Sequence, residues 1–73
     1  MILDLGEVVT SRGVMKSIDH YYMMTTLSCH SIGWGCKEED GVRYSTYEWN
    51  GTKFLITTEG EKTHVFLPRE YER

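Results

Sequence analysis

Apolar residues in the first half of the chain recur at helical spacing. Those of the second half sit in short runs rich in Tyr, Thr and Ile, separated by glycine-bearing turns. Leu3 to Thr10 predicts a first strand, carried by Leu5, Val8 and Val9 and interrupted early by Gly6. Ser11 is a good helix N-cap, because its hydroxyl can accept an orphan backbone N–H. A helix follows over about Arg12 to Asp19, with Val14, Met15 and Ile18 facing the core. Tyr21 to His30 predicts a second helix, whose face of Met23, Met24 and Leu27 reads as core filling, with a partner-facing patch as the alternative. Ser31 to Gly41 holds Gly33, Gly35 and Gly41 and the run Lys37–Glu38–Glu39–Asp40, and reads as a surface loop.

The last third carries the sharpest signals. Val42 to Trp49 predicts a strand. Asn50–Gly51 then marks a hairpin, because both central residues of a type I′ turn need positive φ. Lys53 to Thr58 returns, Glu59–Gly60–Glu61–Lys62 turns again, and Thr63 to Leu67 forms the next strand. The expected fold class is α+β: two short helices packed on a small antiparallel β-meander of three to four strands, the first strand joining at one edge. Residues 1–73 are read as a single domain.

Composition narrows the function classes. A chain of 73 residues buries only about 60% of its unfolded surface, which leaves little room for a deep substrate cavity beside a supporting core. Hydrophobic residues at 40% and charged residues at 26% suit a globular domain. No apolar run approaches a membrane span, and no signal peptide is read at the amino terminus, so the expectation is a cytoplasmic protein with Cys29 and Cys36 as free thiols. The net charge of −3, with basic residues scattered, argues against direct nucleic-acid binding. It suits a protein partner, including a basic groove that otherwise holds nucleic acid.

The carboxyl-terminal third, with Ser45–Thr46–Tyr47, Ile56–Thr57–Thr58–Glu59 and Leu67–Pro68–Arg69–Glu70–Tyr71 in that order, resembles a group of short bacterial proteins labelled plasmid-related protein. Gly6, Val8, Ser11 and Gly13 fit the opening of that family. His30, Gly33, Trp34, Gly35, Glu38, Glu39 and Asp40 fit its central stretch, without the family's Asp between Gly and Trp and with a shorter connection to the next strand. The resemblance implies a mobile-element origin and a β-meander packed with short helices. It implies no established activity.

His20, Cys29, His30 and Cys36 are the residues with metal-ligand chemistry, but their spacing lacks the paired ligands of zinc sites, so no metal and no cofactor are expected. Cys29 beside His30 is not a nucleophile–base pair, because helix neighbours diverge by about 100°. Cys29 is read as buried and His30 as hydrogen-bonded. Trp34 is read as a lid over a thin core, with an interface anchor as the alternative. Glu38, Glu39 and Asp40 are a solvated loop or, functionally, a mimic of phosphate charge. Tyr44, Tyr47, Trp49 and Phe54 load the hairpin with aromatics.

The expected function is a non-catalytic protein-binding module from a mobile genetic element, an inhibitor of a host defence component in the manner of an anti-CRISPR protein. It would act by steric block or nucleic-acid mimicry through Trp34, Glu38, Glu39, Asp40, Tyr47 and Trp49. The alternative is a nucleic-acid-associated accessory or regulatory protein that uses an aromatic sheet face with Lys16, Arg43, Lys53, Lys62 and Arg69. The sequence assigns no oligomeric state.

Overall fold

The computed structural model describes residues 5–71. Strand β1 (Glu7–Thr10) leads into helices α1 (Arg12–Ser17) and α2 (His20–Ile32). Strands β2 (Lys37–Glu39), β3 (Val42–Trp49), β4 (Thr52–Glu59) and β5 (Lys62–Phe66) follow, and a short helix α3 (Pro68–Tyr71) comes last. The sheet order is β1-β5-β4-β3-β2. Strands β2 to β5 pair antiparallel, and β1 joins β5 in parallel, Glu7 opposite Lys62 and Thr10 opposite Val65. The class is α+β, as expected. The sheet is a mixed sheet of five strands, not an antiparallel one of three to four.

Local chemistry explains most boundaries. Ser11 accepts from the Val14 N–H at 3.2 Å and starts α1. Ile18 turns extended, which ends α1 early, and Asp19 accepts from the Tyr22 N–H at 3.0 Å to start α2. Gly33 closes α2 in the left-handed region at φ 87°. The Gly33 N–H donates to His30 and the Trp34 N–H to Cys29, both at 3.1 Å, the pattern of a Schellman cap. Asn50 and Gly51 both take positive φ, 51° and 86°, at the expected hairpin tip.

The expected loop over 31–41 is a correction. Its first two residues extend α2, and Lys37–Glu39 forms β2, joined to β3 by Asp40 (φ 55°) and Gly41 (φ 81°). Asp-Gly favours the same primed turn as Asn-Gly, so the charged run lies on an edge strand and its turn. The first strand is shorter than expected: Leu5 and Gly6 precede it, and Leu3 lies outside the described residues.

Helices α1 and α2 cover the sheet face that bears Phe54, Ile56 and Val65. The core joins these to Val14, Ile18, Met23, Leu27 and Leu67. Burying Phe54 and Ile56 fully contributes about 1.5–3 kcal/mol each. Two expected core residues are corrected: Met15 is 65% exposed and Met24 49% exposed. Both helices present a narrower apolar stripe than the sequence count suggested, because the sheet beneath them is small.

Candidate functional site

Two places concentrate the polar and aromatic chemistry. The first is buried. Strand alternation turns Ser45 of β3 and Thr58 of β4 toward α2, where His30 is fully buried between them. His30 Nδ1 lies 2.7 Å from Ser45 Oγ, and Nε2 lies 2.9 Å from Thr58 Oγ1. Thr58 Oγ1 is 2.8 Å from Thr63 Oγ1, and the Thr63 hydroxyl donates to the Leu5 carbonyl at 2.6 Å.

Proton counting orients this chain. A carbonyl only accepts, so the single Thr63 proton goes to Leu5. Thr63 must then accept from Thr58, and Thr58 must accept from His30 Nε2–H. Neutral His30 is left with a bare Nδ1, which accepts the Ser45 hydroxyl proton. Burial, aided by the Arg43 guanidinium, lowers the His30 pKa from 6.5 to about 4, so the ring is neutral near pH 7.

Cys36 Sγ sits 3.5 Å from the same Nδ1. The thiol beside His30 is therefore Cys36, from the segment after α2, and not its chain neighbour Cys29. Cys29 is half-buried, not buried as expected. The pair resembles a catalytic dyad in distance only. Nδ1 already accepts from Ser45 at the shorter distance, and an imidazole with a pKa of about 4 is a weak base at neutral pH. Among the described residues, no three His, Cys, Asp or Glu side chains converge where they could hold a metal ion.

The second place is the surface beside β2. Arg43 reaches under the end of α2 and donates to the carbonyls of His30 (3.3 Å) and Ser31 (3.0 Å). It thereby adds a second donor to the capped His30 carbonyl, supplies one to the Ser31 carbonyl of the last turn, and places a cation at the negative end of the helix dipole. Its Nε donates to Glu38 at 2.7 Å. Glu39 accepts from the Tyr44 hydroxyl at 3.2 Å. Two carboxylates of the acidic run thus have intramolecular partners, though Glu38, Glu39 and Asp40 remain exposed.

Trp34 follows the Gly33 cap and is 71% exposed, so it is not the expected lid. Its backbone is held from three sides. Its N–H donates to Cys29, and its carbonyl accepts from the Tyr47 hydroxyl at 3.4 Å and the Cys36 thiol at 3.7 Å. Burial raises the Tyr47 pKa against the opposing pull of the Ser45 hydroxyl.

The structure leaves Trp34, Glu38, Glu39 and Asp40 exposed and sets the Tyr47 hydroxyl against the Trp34 backbone, whereas the Tyr47 and Trp49 rings turn to the core. Tyr47 packs on Phe54 with ring centroids 6.0 Å apart, and Trp49 packs on Tyr22 at 4.8 Å. Both are half-buried against the helix-covered core. The sequence reading gave Arg43 only as a candidate nucleic-acid contact and assigned Ser45, Thr58 and Thr63 no part in a site. Alternation could have flagged them: counting back in steps of two from Tyr47 or Val65, or on from Ile56, lands on polar inward positions.

No helix among the described residues is long and apolar enough to cross a membrane. A scan against protein-family models, a search of curated proteins and a search of solved structures each found no match.

Proposed function

We propose that this chain is a small non-catalytic protein-binding module whose contact surface is Trp34 together with the exposed carboxylates of the β2–β3 hairpin. One observation carries the reading: the Trp34 ring is 71% exposed on a backbone fixed by the α2 cap, Tyr47 and Cys36. An indole held outward at little ordering cost has the properties of an interface anchor. The exposed Glu39 and Asp40 of the β2–β3 hairpin favour a basic surface on the partner and would steer the encounter. Such surfaces ordinarily hold nucleic acid, so the module suits an inhibitor of a nucleic-acid-binding host defence component, acting by steric block or charge mimicry. The quoted resemblance to plasmid-related proteins points the same way. The absence of a competent base at Cys36 supports a role without catalysis. The nucleic-acid alternative loses its platform, because Tyr47, Trp49 and Phe54 pack toward the helices.

The test uses the full chain as bait in the native host, with captured protein quantified by mass spectrometry. Trp34→Ala should lose the captured protein while its thermal midpoint stays within about 2 °C of the parent, as expected for a surface change. Glu39→Gln with Asp40→Asn should slow association, more at low salt than at high, while keeping the left-handed turn at Asp40. Undiminished capture by the folded Trp34→Ala variant overturns the reading. So does a Trp34→Ala midpoint lowered by many degrees, which would make the ring part of the core.

A further inference from the structure

The two edges of the sheet are protected very differently. At one edge, all three residues of β2 are charged, and such residues discourage a further strand. At the other edge, β1 is Glu7–Val8–Val9–Thr10, with Val8 41% and Val9 43% exposed. The N–H groups of Glu7 and Ser11 donate inward to Glu61 and Val65. Backbone groups alternate direction along a strand, so those of Val8 and Thr10 point outward, where the sheet order places no further strand among the described residues.

The helix beside this edge is equally unusual. Helix α2 contains none of the chain's eight basic or eleven acidic residues. An apolar groove runs between it and β1, lined by Leu5, Val8, Met24, Leu27 and Ile32, among others. Met24 is 49% exposed and Ile32 56% exposed. A contiguous apolar strip next to an open strand edge is typical of an interface.

The occupant is constrained by charge. Two copies of a chain with net charge −3 repel, and they can approach at least cost where neither carries charge. The α2 side of the β1 edge is that place. The edge is also self-complementary. A two-fold axis perpendicular to the sheet sets β1 antiparallel to its copy and keeps the helices of both copies on one side.

We propose that β1 pairs with β1 of a second copy in this way, with Val9 opposite Val9 at the axis. Val8 of each copy then exchanges backbone hydrogen bonds with Thr10 of the other, so four bonds use all the outward-pointing donors and acceptors of the strand. Glu7 falls opposite Ser11, away from the Glu7 of the other copy. Met24 and Ile32 of the two α2 helices close over the seam. Two five-stranded sheets become one continuous sheet. The dimer leaves β2 and Trp34 free at both outer ends and does not depend on the proposed partner surface.

Sedimentation of the full chain over a concentration series up to about 200 µM tests this, since dimerisation obeys mass action. The parent should pass from monomer to dimer. Amide exchange at Val8 and Thr10 should slow as the dimer forms, while Val9, bonded inward, is slow throughout. Met24→Glu, an exposed helix position, should raise the dimer dissociation constant at least about tenfold, with an unchanged thermal midpoint at concentrations where both parent and variant are monomeric. Val8→Pro, which deletes one outward N–H, should do the same. A parent that stays monomeric over the whole series overturns the proposal, and so does a dimer unaffected by the folded Met24→Glu variant.

Discussion

The layer between the helices and the sheet has two halves that reach burial by different physics. Around Phe54, Ile56, Val65 and Leu67, with Val14 and Ile18 above, contacts are apolar and non-directional. Any side chain of similar volume and shape would serve there. Around His30, Ser45, Thr58 and Thr63, buried residues are polar, and one assignment of protons satisfies the chain from Ser45 to the Leu5 carbonyl. Among the described residues, no buried side-chain N or O atom lacks a partner. The apolar half supplies stability, and the polar half restricts how α2 can sit on the sheet.

Truncating the apolar half should have the largest effect. Phe54→Ala removes a fully buried ring touched by Tyr22 and Tyr47, and should cost about 3–5 kcal/mol in chemical denaturation. A loss below about 1 kcal/mol would mean the site collapses around the gap, contrary to the close packing expected of such interiors.

Acid should act on the polar half alone. His30 titrates near 4 in the folded state and near 6.5 when unfolded, so the unfolded chain binds the proton more tightly. The stabilisation from neutral His30 is complete above about 6.5 and is lost as pH falls toward 4. With one unit equal to 1.36 kcal/mol, the full effect is about 3 kcal/mol. Denaturation midpoints measured across that window should fall for the parent and stay flatter for His30→Leu. Equal slopes in both would assign the acid sensitivity to other groups.

A smaller cut tests the proton ordering. Thr58→Val keeps volume but leaves His30 Nε2–H without its acceptor and Thr63 without its donor, and should cost about 1–3 kcal/mol. Ser45→Ala should cost less than Thr58→Val, because Cys36 also approaches Nδ1. The reverse ranking would contradict the assigned chain. Gly51→Val is a control outside both halves. Its φ of 86° disfavours a β-branched residue by about 1 kcal/mol or more, with no change in the pH profile.

The apolar half was largely legible in the sequence, and the polar half was not. Periodicity and caps located both long strands, the Asn50–Gly51 tip and both helices, because those signals act within a few residues. It failed where tertiary placement decides: Met15 and Met24 have the right spacing but stand beyond the reach of a small sheet. Asp40–Gly41 was a local hairpin signal masked by the charged run around it. The His30 chain draws single residues from α2, β3, β4, β5 and the segment before β1, and no local pattern unites them. Trp34 depended on which way the chain leaves the Gly33 cap, a matter of one left-handed residue.

The pairing of β1 with β5 has a consequence for how the chain is made. Glu7 meets Lys62, and the Thr63 hydroxyl closes on Leu5, a separation of 58 residues. Contacts between residues far apart in sequence are slow to form, because the intervening loop must close first. On the ribosome, β1 is made and then waits, since the strand it needs follows 55 residues later, Lys62 after Glu7. Until β5 follows, its two valines face whatever the cell provides. The edge that the finished sheet leaves open on one side is open on both sides in the nascent protein, and its first protection arrives only when β5 clears the exit tunnel.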